Sequence, residues 1–412
     1  MLNVSRRSLL IGAGGAAVSP AVAKTYKRAM TEHVAIIGAG AFGAWTAHHL
    51  LQSGHKVTLI DAHGPAHSRA SSGGESRLTR AAYGKDAIYT RMARDSLPQW
   101  QALSAISGLP IFIPAGILFF FETDEPYLHD SIAAHQEFGL PTEVLNAAEM
   151  ARRFPMIDFD GVVGGLYEPA FGVLMARRAV QTLVERFVRA GGTYLKSAAL
   201  PPLPSAETLE EICITSGETI GADRFVFALG PWMPKLFPEV IGPRIQPTRQ
   251  EVFYFASPAG DRRFLPGTMP GWADFNGGDM FYGTPDLEGR GVKFAYDRHG
   301  VPVDPDTQDR RPTEAALADV VAFRDRRFPA LKGAPLIGSE VCQYENSSNG
   351  DFLIDVHPQL ANVLLVGGGS GHGFKHGPEV GRYAAHRLFS EANAEPRFSL
   401  ATKGESQHRE VH

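Results

Sequence analysis

The stretch "HVAIIGAGAFGAWTAHHLLQSGHKVTLID", residues 33–61, limits the fold more than any other part of the chain. "HVAII" is a short apolar strand, and Gly38-Ala39-Gly40-Ala41-Phe42-Gly43 follows it at once. "AWTAHHLLQSG" then reads as a helix closed by Gly54, and "KVTLID" as a second apolar strand ending at Asp61. This is a complete β-α-β unit, with an acid 23 residues after the first glycine. Gly38 permits the tight turn, Gly40 lets backbone approach a pyrophosphate, and Gly43 lets helix and strand pack closely. Asp61 is placed to accept hydrogen bonds from ribose hydroxyls. The unit predicts dinucleotide binding but does not by itself separate one dinucleotide from another.

A second stretch, "IGAGGAAV" at 11–18, carries similar glycines in a different setting. Ahead of it is "SRRSLL", with Arg6 and Arg7 adjacent, and no strand precedes it. The apolar run ends in Ala21-Val22-Ala23, a small-x-small cleavage pattern. This is the layout of a twin-arginine export signal, which predicts the export machinery as a partner and the periplasm as destination. The run is too short for a permanent membrane span. That route carries folded proteins, often with a cofactor already inside.

The 412 residues are enough for two domains. Hydrophobic residues make up 44% and charged residues 20%, with a formal charge of -4, so the chain is globular and lacks the basic footprint of a nucleic-acid binder. "GADRFVFALGPW", residues 221–232, reads as a strand running into a Gly-Pro-Trp turn. Far downstream "NVLLVGGGSGHGFKHGPEVGRYAAHRL" reads as a strand at 362–366, a glycine-rich loop and a helix. The first sheet is therefore expected from distant pieces of sequence, an interleaving usual in flavoproteins. Residues 111–164 and 245–340 have short apolar runs with Pro and Gly and aromatic strands such as "EVFYFA". The expected fold class is α/β (α+β overall). A Rossmann-like FAD-binding domain (31–110, 165–244, 341–395) is joined to a discontinuous, mainly antiparallel substrate domain (111–164, 245–340). A leader (1–30) precedes them and a tail (396–412) follows.

Six motifs, "GAGAFG", "SSGGESRLTRAAYG", "PTRQEVFYF", "FYGTPDLEGRGVKFAYD", "SEVCQYENSSNGDFLID" and "GSGHGFK", occur in this order between about residues 33 and 390. In them the chain resembles the amine-oxidising flavoproteins related to D-amino-acid oxidase, and among these the monomeric sarcosine oxidase and N-methyl-tryptophan oxidase group. The resemblance implies bound FAD, oxidation of the C–N bond of a small or N-alkylated amino acid, and reduction of O2 to hydrogen peroxide. A monomer is expected. The resemblance also implies a job for Cys342, whose counterpart bonds through sulfur to the flavin. Two other fates for the thiol stay open: pairing with Cys213, the only other cysteine, and a free thiol beside noncovalent FAD.

By family position, Arg77, Lys293 and His372 are the catalytic candidates. Arg77 and Lys293 belong on the flavin face where O2 reacts, where a fixed cation stabilises developing negative charge. Arg80 and Lys375 belong where the family holds a substrate carboxylate, the arginine as a planar fork and the lysine as a point charge. Arg77 and Arg80 lie on one side if their stretch is helical. Tyr282 and Tyr344 match aromatic walls of the substrate cavity. The cofactor candidates are Gly38, Gly40, Phe42, Gly43, Asp61, Ala62, Arg69, Ser71, Gly74, Ser76, Arg77, Gly230, Trp232, Cys342, Gly371, Gly373 and Lys375. His372 and His376 have a metal-like spacing but no acidic third ligand nearby, so no metal site is expected. "DPDTQD", 304–309, lacks the glycine and glutamate of a calcium loop and reads as a solvated turn. The chain departs from the group at Ser72-Gly73, where sarcosine oxidase has paired histidines, and at Asp297, where it has a histidine. An acid beside the cavity could pair with a substrate cation or shift the pKa of the bound amine. Two other readings remain: a dehydrogenase passing electrons to a quinone or protein, and a flavin-bearing assembly subunit without turnover.

Overall fold

In the computed structural model, residues 31–202, 207–276 and 279–408 are described. The leader, with Arg6, Arg7 and the cleavage pattern at 21–23, lies outside them. The glycine-rich unit forms as its pattern dictates: β1 (His33–Ile37), α1 (Ala41–Gln52) and β2 (Lys56–Asp61). β1 and β2 are parallel, with Val34 opposite Val57 and Ile36 opposite Leu59. Along β1, Val34 and Ile36 pack with Trp45 and Leu50 of α1, whereas Ala35 and Ile37 pack on the other face with Phe225 and Phe227. Both faces of the strand are covered, which is why it reads as an unbroken apolar run. Each large apolar side chain buried in this way contributes about 1.5–3 kcal/mol.

β1 and β2 belong to a six-stranded sheet whose order is Leu353–Val356, Val363–Gly367, Arg224–Phe227, β1, β2, Thr193–Lys196. All its neighbours are parallel except the first pair. The expected interleaving is present: a strand from residues 224–227 lies between β1 and a strand from residues 363–367.

The second, eight-stranded sheet has the order Leu336–Ser347, Ile245–Phe255, Val292–Asp297, Asp279–Thr284, Gly271–Asn276, Ile117–Phe121, Gly164–Glu168, Glu143–Leu145. It is antiparallel except where Gly271–Asn276 pairs in parallel with Ile117–Phe121. Residues 341–347 and 165–168, grouped by sequence with the dinucleotide-binding segments, pair here instead. The long aromatic strand Ile245–Phe255 supplies a hydrogen-bonding edge for the whole of Leu336–Ser347, and so carries Cys342 into the larger sheet opposite Gln250.

A small three-stranded sheet, Ser76–Thr79 with Gly172–Met175 and Phe112–Ile113, holds the arginine motif. Arg77 and Arg80 are therefore not neighbours on a helix. Ser76–Thr79 is an extended strand and Arg80 is the first residue past its end. Among the described residues, no helix is long and apolar enough to cross a membrane.

Candidate active site

The glycine turn after β1 has little room for a side chain. Gly38 has φ +109°, and a Cβ there would stand 2.1 Å from the Ala228 carbonyl oxygen. Its N–H donates to the Ile60 carbonyl at 2.7 Å, so the turn is tied to the neighbouring strand. Gly43, the third residue of α1, packs directly on the Gly38 carbonyl, where a Cβ would come within 1.9 Å. α1 starts without a capping side chain at its own N-cap, Gly40. Two N–H groups around this helix start are met from elsewhere: that of Ala41, its first residue, donates to Ser72 Oγ at 3.0 Å, and that of Ala39, just before the N-cap, donates to Asp61 Oδ2 at 2.8 Å. Asp61 Oδ1 accepts from the N–H of His63 at 2.9 Å and of Gly64 at 2.7 Å. The carboxylate is thus oriented by backbone before any ligand arrives.

A cleft of about 440 Å³ opens over this turn. Of the expected cofactor residues, Gly38, Gly40, Phe42, Asp61, Ala62, Ser71, Arg77, Gly230, Trp232, Gly371 and Gly373 line it, as does Tyr344. The other candidates do not line it: Arg69 is exposed, and the rest are buried. Gly43 is packed as above, and Gly74 backs the Arg77 guanidinium, where a Cβ would lie 2.7 Å from Nη1. The Arg69 carbonyl accepts from Gln343 Nε2 at 2.7 Å.

Arg77, Lys293 and Cys342 meet at the far end. The Ser76 carbonyl accepts from Arg77 Nη1 at 2.7 Å and from Lys293 Nζ at 2.9 Å, so one oxygen bridges both cations. Arg77 Nη2 donates to the Ser71 carbonyl at 2.8 Å and lies 3.6 Å from Cys342 Sγ. Lys293 is fully buried and sits 5.2 Å from the Tyr282 ring centroid. Burial, and then the Arg77 charge, pull its amine down to about 7, against weaker support from Glu340 and Cys342. Burial also works against the Arg77 guanidinium, but Cys342, Tyr282, Tyr344 and Glu340 outweigh it and the net shift is upward. Arg77 is therefore the permanent cation of the pair, and Lys293 the one that can lose its charge near neutral pH. Cys213 is exposed and Cys342 buried, and neither is in a disulfide.

A second cluster gathers on Tyr83. The Arg80 guanidinium lies 4.3 Å from the Tyr83 ring centroid, and Lys375 Nζ donates to the Tyr83 hydroxyl at 2.7 Å and to the His372 carbonyl at 2.8 Å. Arg80 Nη1 donates to the Ala82 carbonyl and, at 3.3 Å, to the Tyr127 hydroxyl. The Tyr83 hydroxyl is also 3.2 Å from His372 Nδ1 and 2.7 Å from His376 Nε2. His372 Nε2 faces the Gly350 carbonyl at 3.0 Å, which makes that nitrogen the protonated one and leaves Nδ1 to accept from Tyr83. His372 and His376 are thus held by a phenol, and no group of three or more potential metal ligands occurs among the described residues. Asp297, in the buried end of its strand, contributes to the fields at Arg80 and Tyr282. Burial pushes the Tyr282 phenol up to about 12.

Three features of the site were not singled out from sequence. Tyr83 sits inside the quoted arginine motif, and only its position between Arg80 and Lys375 reveals it. Ser72, read only as a departure, supplies the Oγ at the start of α1, and its neighbour Gly73 would place a Cβ 2.0 Å from the His67 carbonyl oxygen. "DPDTQD" is not a free turn: Asp306 accepts from Trp232 Nε1 at 2.7 Å and pairs with Lys235, which also reaches Asp304 at 2.8 Å, all at the mouth of the cleft.

The glycine cradle, the half-met helix N-terminus and the oriented Asp61 fit a dinucleotide. The profile of the FAD dependent oxidoreductase family (DAO) matches residues 33–387. The chain is 29% identical over 358 residues to monomeric sarcosine oxidase of Bacillus sp. (strain B-0618), covering 84% of this chain and 90% of that one. It is 30% identical over 357 residues to N-methyl-L-tryptophan oxidase of Citrobacter koseri, covering 85% and 92%. Among solved structures, L-proline dehydrogenase from P. horikoshii has a TM-score of 0.77 at 21% identity, covering 90% of this chain and 97% of that one. The profile match spans the cleft from Gly38 to Arg77 as well as the Tyr83 cluster with Lys375, and on that extent the chain belongs to the FAD dependent oxidoreductase family.

Proposed function

We propose that this protein is an FAD-dependent amine oxidase acting on a small or N-alkylated amino acid, with O2 as acceptor and hydrogen peroxide as product. The observation that carries the reading is the pair of cations, Arg77 and Lys293, sharing the Ser76 carbonyl beside the Cys342 thiol. Bound FAD supplies the electron acceptor for C–N bond oxidation. The protein's residues do the rest. The α1 turn and Asp61 hold the dinucleotide. Arg77 and Lys293 present positive charge in a dry site where O2 gains electrons. Arg80 and Lys375, joined through Tyr83, offer fork and point charge to a carboxylate. Tyr344 lines the cleft, Tyr282 lies beside Lys293, and to these two and Asp297 we assign the walls and the acid of the substrate site. Cys342 is the residue we assign to a covalent bond with the flavin. The twin-arginine pattern supports export to the periplasm, and we infer a monomer.

Anaerobic bleaching of the flavin by a panel of amines and N-methyl amino acids, followed by peroxide measurement in air, tests the reading. Bleaching followed by peroxide supports it. Bleaching without peroxide favours a dehydrogenase, a reading kept because O2 is not the only acceptor such a site can serve. No bleaching by any amine would sink the enzyme assignment. Separately, flavin should stay with acid-precipitated wild-type polypeptide and be released from Cys342→Ser, and a colourless wild-type pellet would remove the covalent bond alone.

A further inference from the structure

Among the described residues, Glu345 is the acid in the wall of the cleft with the fewest partners within the protein. It follows Tyr344 on the strand that carries Cys342, is 7% exposed, and lines the cleft. Its Oε1 takes a long hydrogen bond, 3.3 Å, from the Gly369 N–H. Its Oε2 is buried and has no partner among the described residues. Burial pushes the carboxyl up to about 7, and the N–H groups of Gly369 and Gly368 offset only part of that. A buried carboxyl oxygen without a partner costs free energy, and such groups in native proteins call for a missing partner.

The surroundings indicate where the partner comes from. Cβ atoms added at Gly230, Gly367 and Gly369 would stand 3.8, 3.3 and 3.4 Å from the carboxyl oxygens. Glycine at these positions leaves the carboxyl bare on the sides where side chains would otherwise cover it. Gly369 in turn approaches Phe42, the second residue of α1, whose ring tip would be 3.8 Å from a Cβ there. Glu345 thus stands between the N-terminus of α1, which suits phosphates, and the strand position of Cys342, roughly 10 Å away at about 3.3 Å per residue. In FAD the part between the phosphates and the ring is a hydroxylated linker, whose hydroxyls can donate to such an oxygen.

We infer that Glu345 is a cofactor-positioning residue that hydrogen-bonds the hydroxylated linker of FAD through Oε2. The inference rests on FAD binding by this family and is independent of the substrate. It gives the glycine-rich loop a further use: it keeps covering side chains away from a carboxyl that the ligand completes.

The test compares FAD with ADP, which carries the phosphate end without the linker. Full-length apoprotein in a Cys342→Ser background, where linkage at that thiol is blocked, is titrated with each. Glu345→Leu keeps much of the volume and removes both oxygens. It should weaken FAD about 10- to 150-fold, the range for a hydrogen bond to a charged group, and leave ADP little changed. Glu345→Gln, which keeps one carbonyl oxygen, should lose less, and it serves alone if the leucine variant does not fold. FAD binding unchanged in Glu345→Leu, or in Glu345→Gln when that variant stands alone, overturns the inference. So does an equal loss of ADP, which would mean general distortion. Failure of the parent protein to bind FAD at all would instead strike the cofactor assignment.

Discussion

At the Gly38 end of the cleft, most parts come from one run of 29 residues, 33–61, with Ser72, Ala228 and the backbone of His63 and Gly64 among the outside contacts. At the Arg77 end, three separate segments, 71–77, Lys293 and Cys342, meet within hydrogen-bonding or van der Waals distance. The first end is made of backbone geometry and the second of side-chain charge. A change at the first should therefore damage folding and cofactor retention together. A change at the second should spare the fold and alter a single chemical step.

The sharpest contrast is Gly38→Ala. The added methyl faces the Ala228 carbonyl at 2.1 Å and a φ of +109° that L side chains rarely adopt. We expect a stability loss of about 3 kcal/mol or more and protein purified with little flavin. Flavin content and Tm like those of wild type would contradict the steric account of this end.

Lys293→Met should keep Tm and flavin while slowing reoxidation by O2 about 100- to 1000-fold, the range for losing one preorganised donor in a dry site. Reduction by amine should change much less, which stopped-flow traces of the two half-reactions resolve. The wild-type profile adds a sign. Because the amine is drawn down to about 7, it is charged below that pH and neutral above it. Reoxidation should slow as pH rises through about 7, and the variant should lack that step. Retention of the step in Lys293→Met would move its origin to another group.

Arg80→Met probes the Tyr83 cluster. We expect a substrate dissociation constant raised about 10- to 150-fold, with O2 reactivity little altered, because the proposed O2 site is at Arg77 and Lys293. Pairing an amino acid with its decarboxylated amine gives the decisive reading. If wild type handles both equally, the carboxylate clamp fails and Arg80 is a structural cation on Ala82 and Tyr127.

The smallest effect is expected at the mouth. Asp306→Ala removes an acceptor for Trp232 and one partner of Lys235, both on partly exposed side chains. Surface pairs contribute about 0.2–1 kcal/mol, so FAD affinity should fall no more than about fivefold. A larger loss, measured by titration, would make the 304–309 segment part of the binding site proper.

Much of the first end was legible in order along the chain. The strand, helix and strand of 33–61 appear within a few residues of where their pattern puts them, and Gly54, at φ +88°, lies just past the helix end. The strands at 224–227 and 363–367 were also readable as apolar runs, because a parallel strand covered on both faces shows no alternation. The second end was harder. Arg77 and Arg80 share a motif, and their spacing suits a helix as well as a strand. Only pairing of Ser76–Thr79 with Gly172–Met175 makes it a strand and sends the two arginines to different clusters. Residues 341–347 read as a continuation of the dinucleotide-binding region, but their long antiparallel pairing with Ile245–Phe255 takes them elsewhere. Tyr83, Glu345 and Asp306 lie in quoted segments and give no local signal of function.

The sequence by itself determined the dinucleotide unit, since φ at Gly38, the helix start at Ala41 and the acid at Asp61 follow from neighbours in the chain. It also carried the family resemblance, because ordered motifs survive as strings. Tertiary structure alone decided that one carbonyl holds Arg77 and Lys293, that Tyr83 links Arg80 to Lys375, and that Glu345 keeps an oxygen without a partner. The reason is physical. Desolvation and Coulomb interaction depend on distance through space, and residues such as Arg77 and Lys293 become neighbours only when two sheets and the loops between them have closed around the cleft.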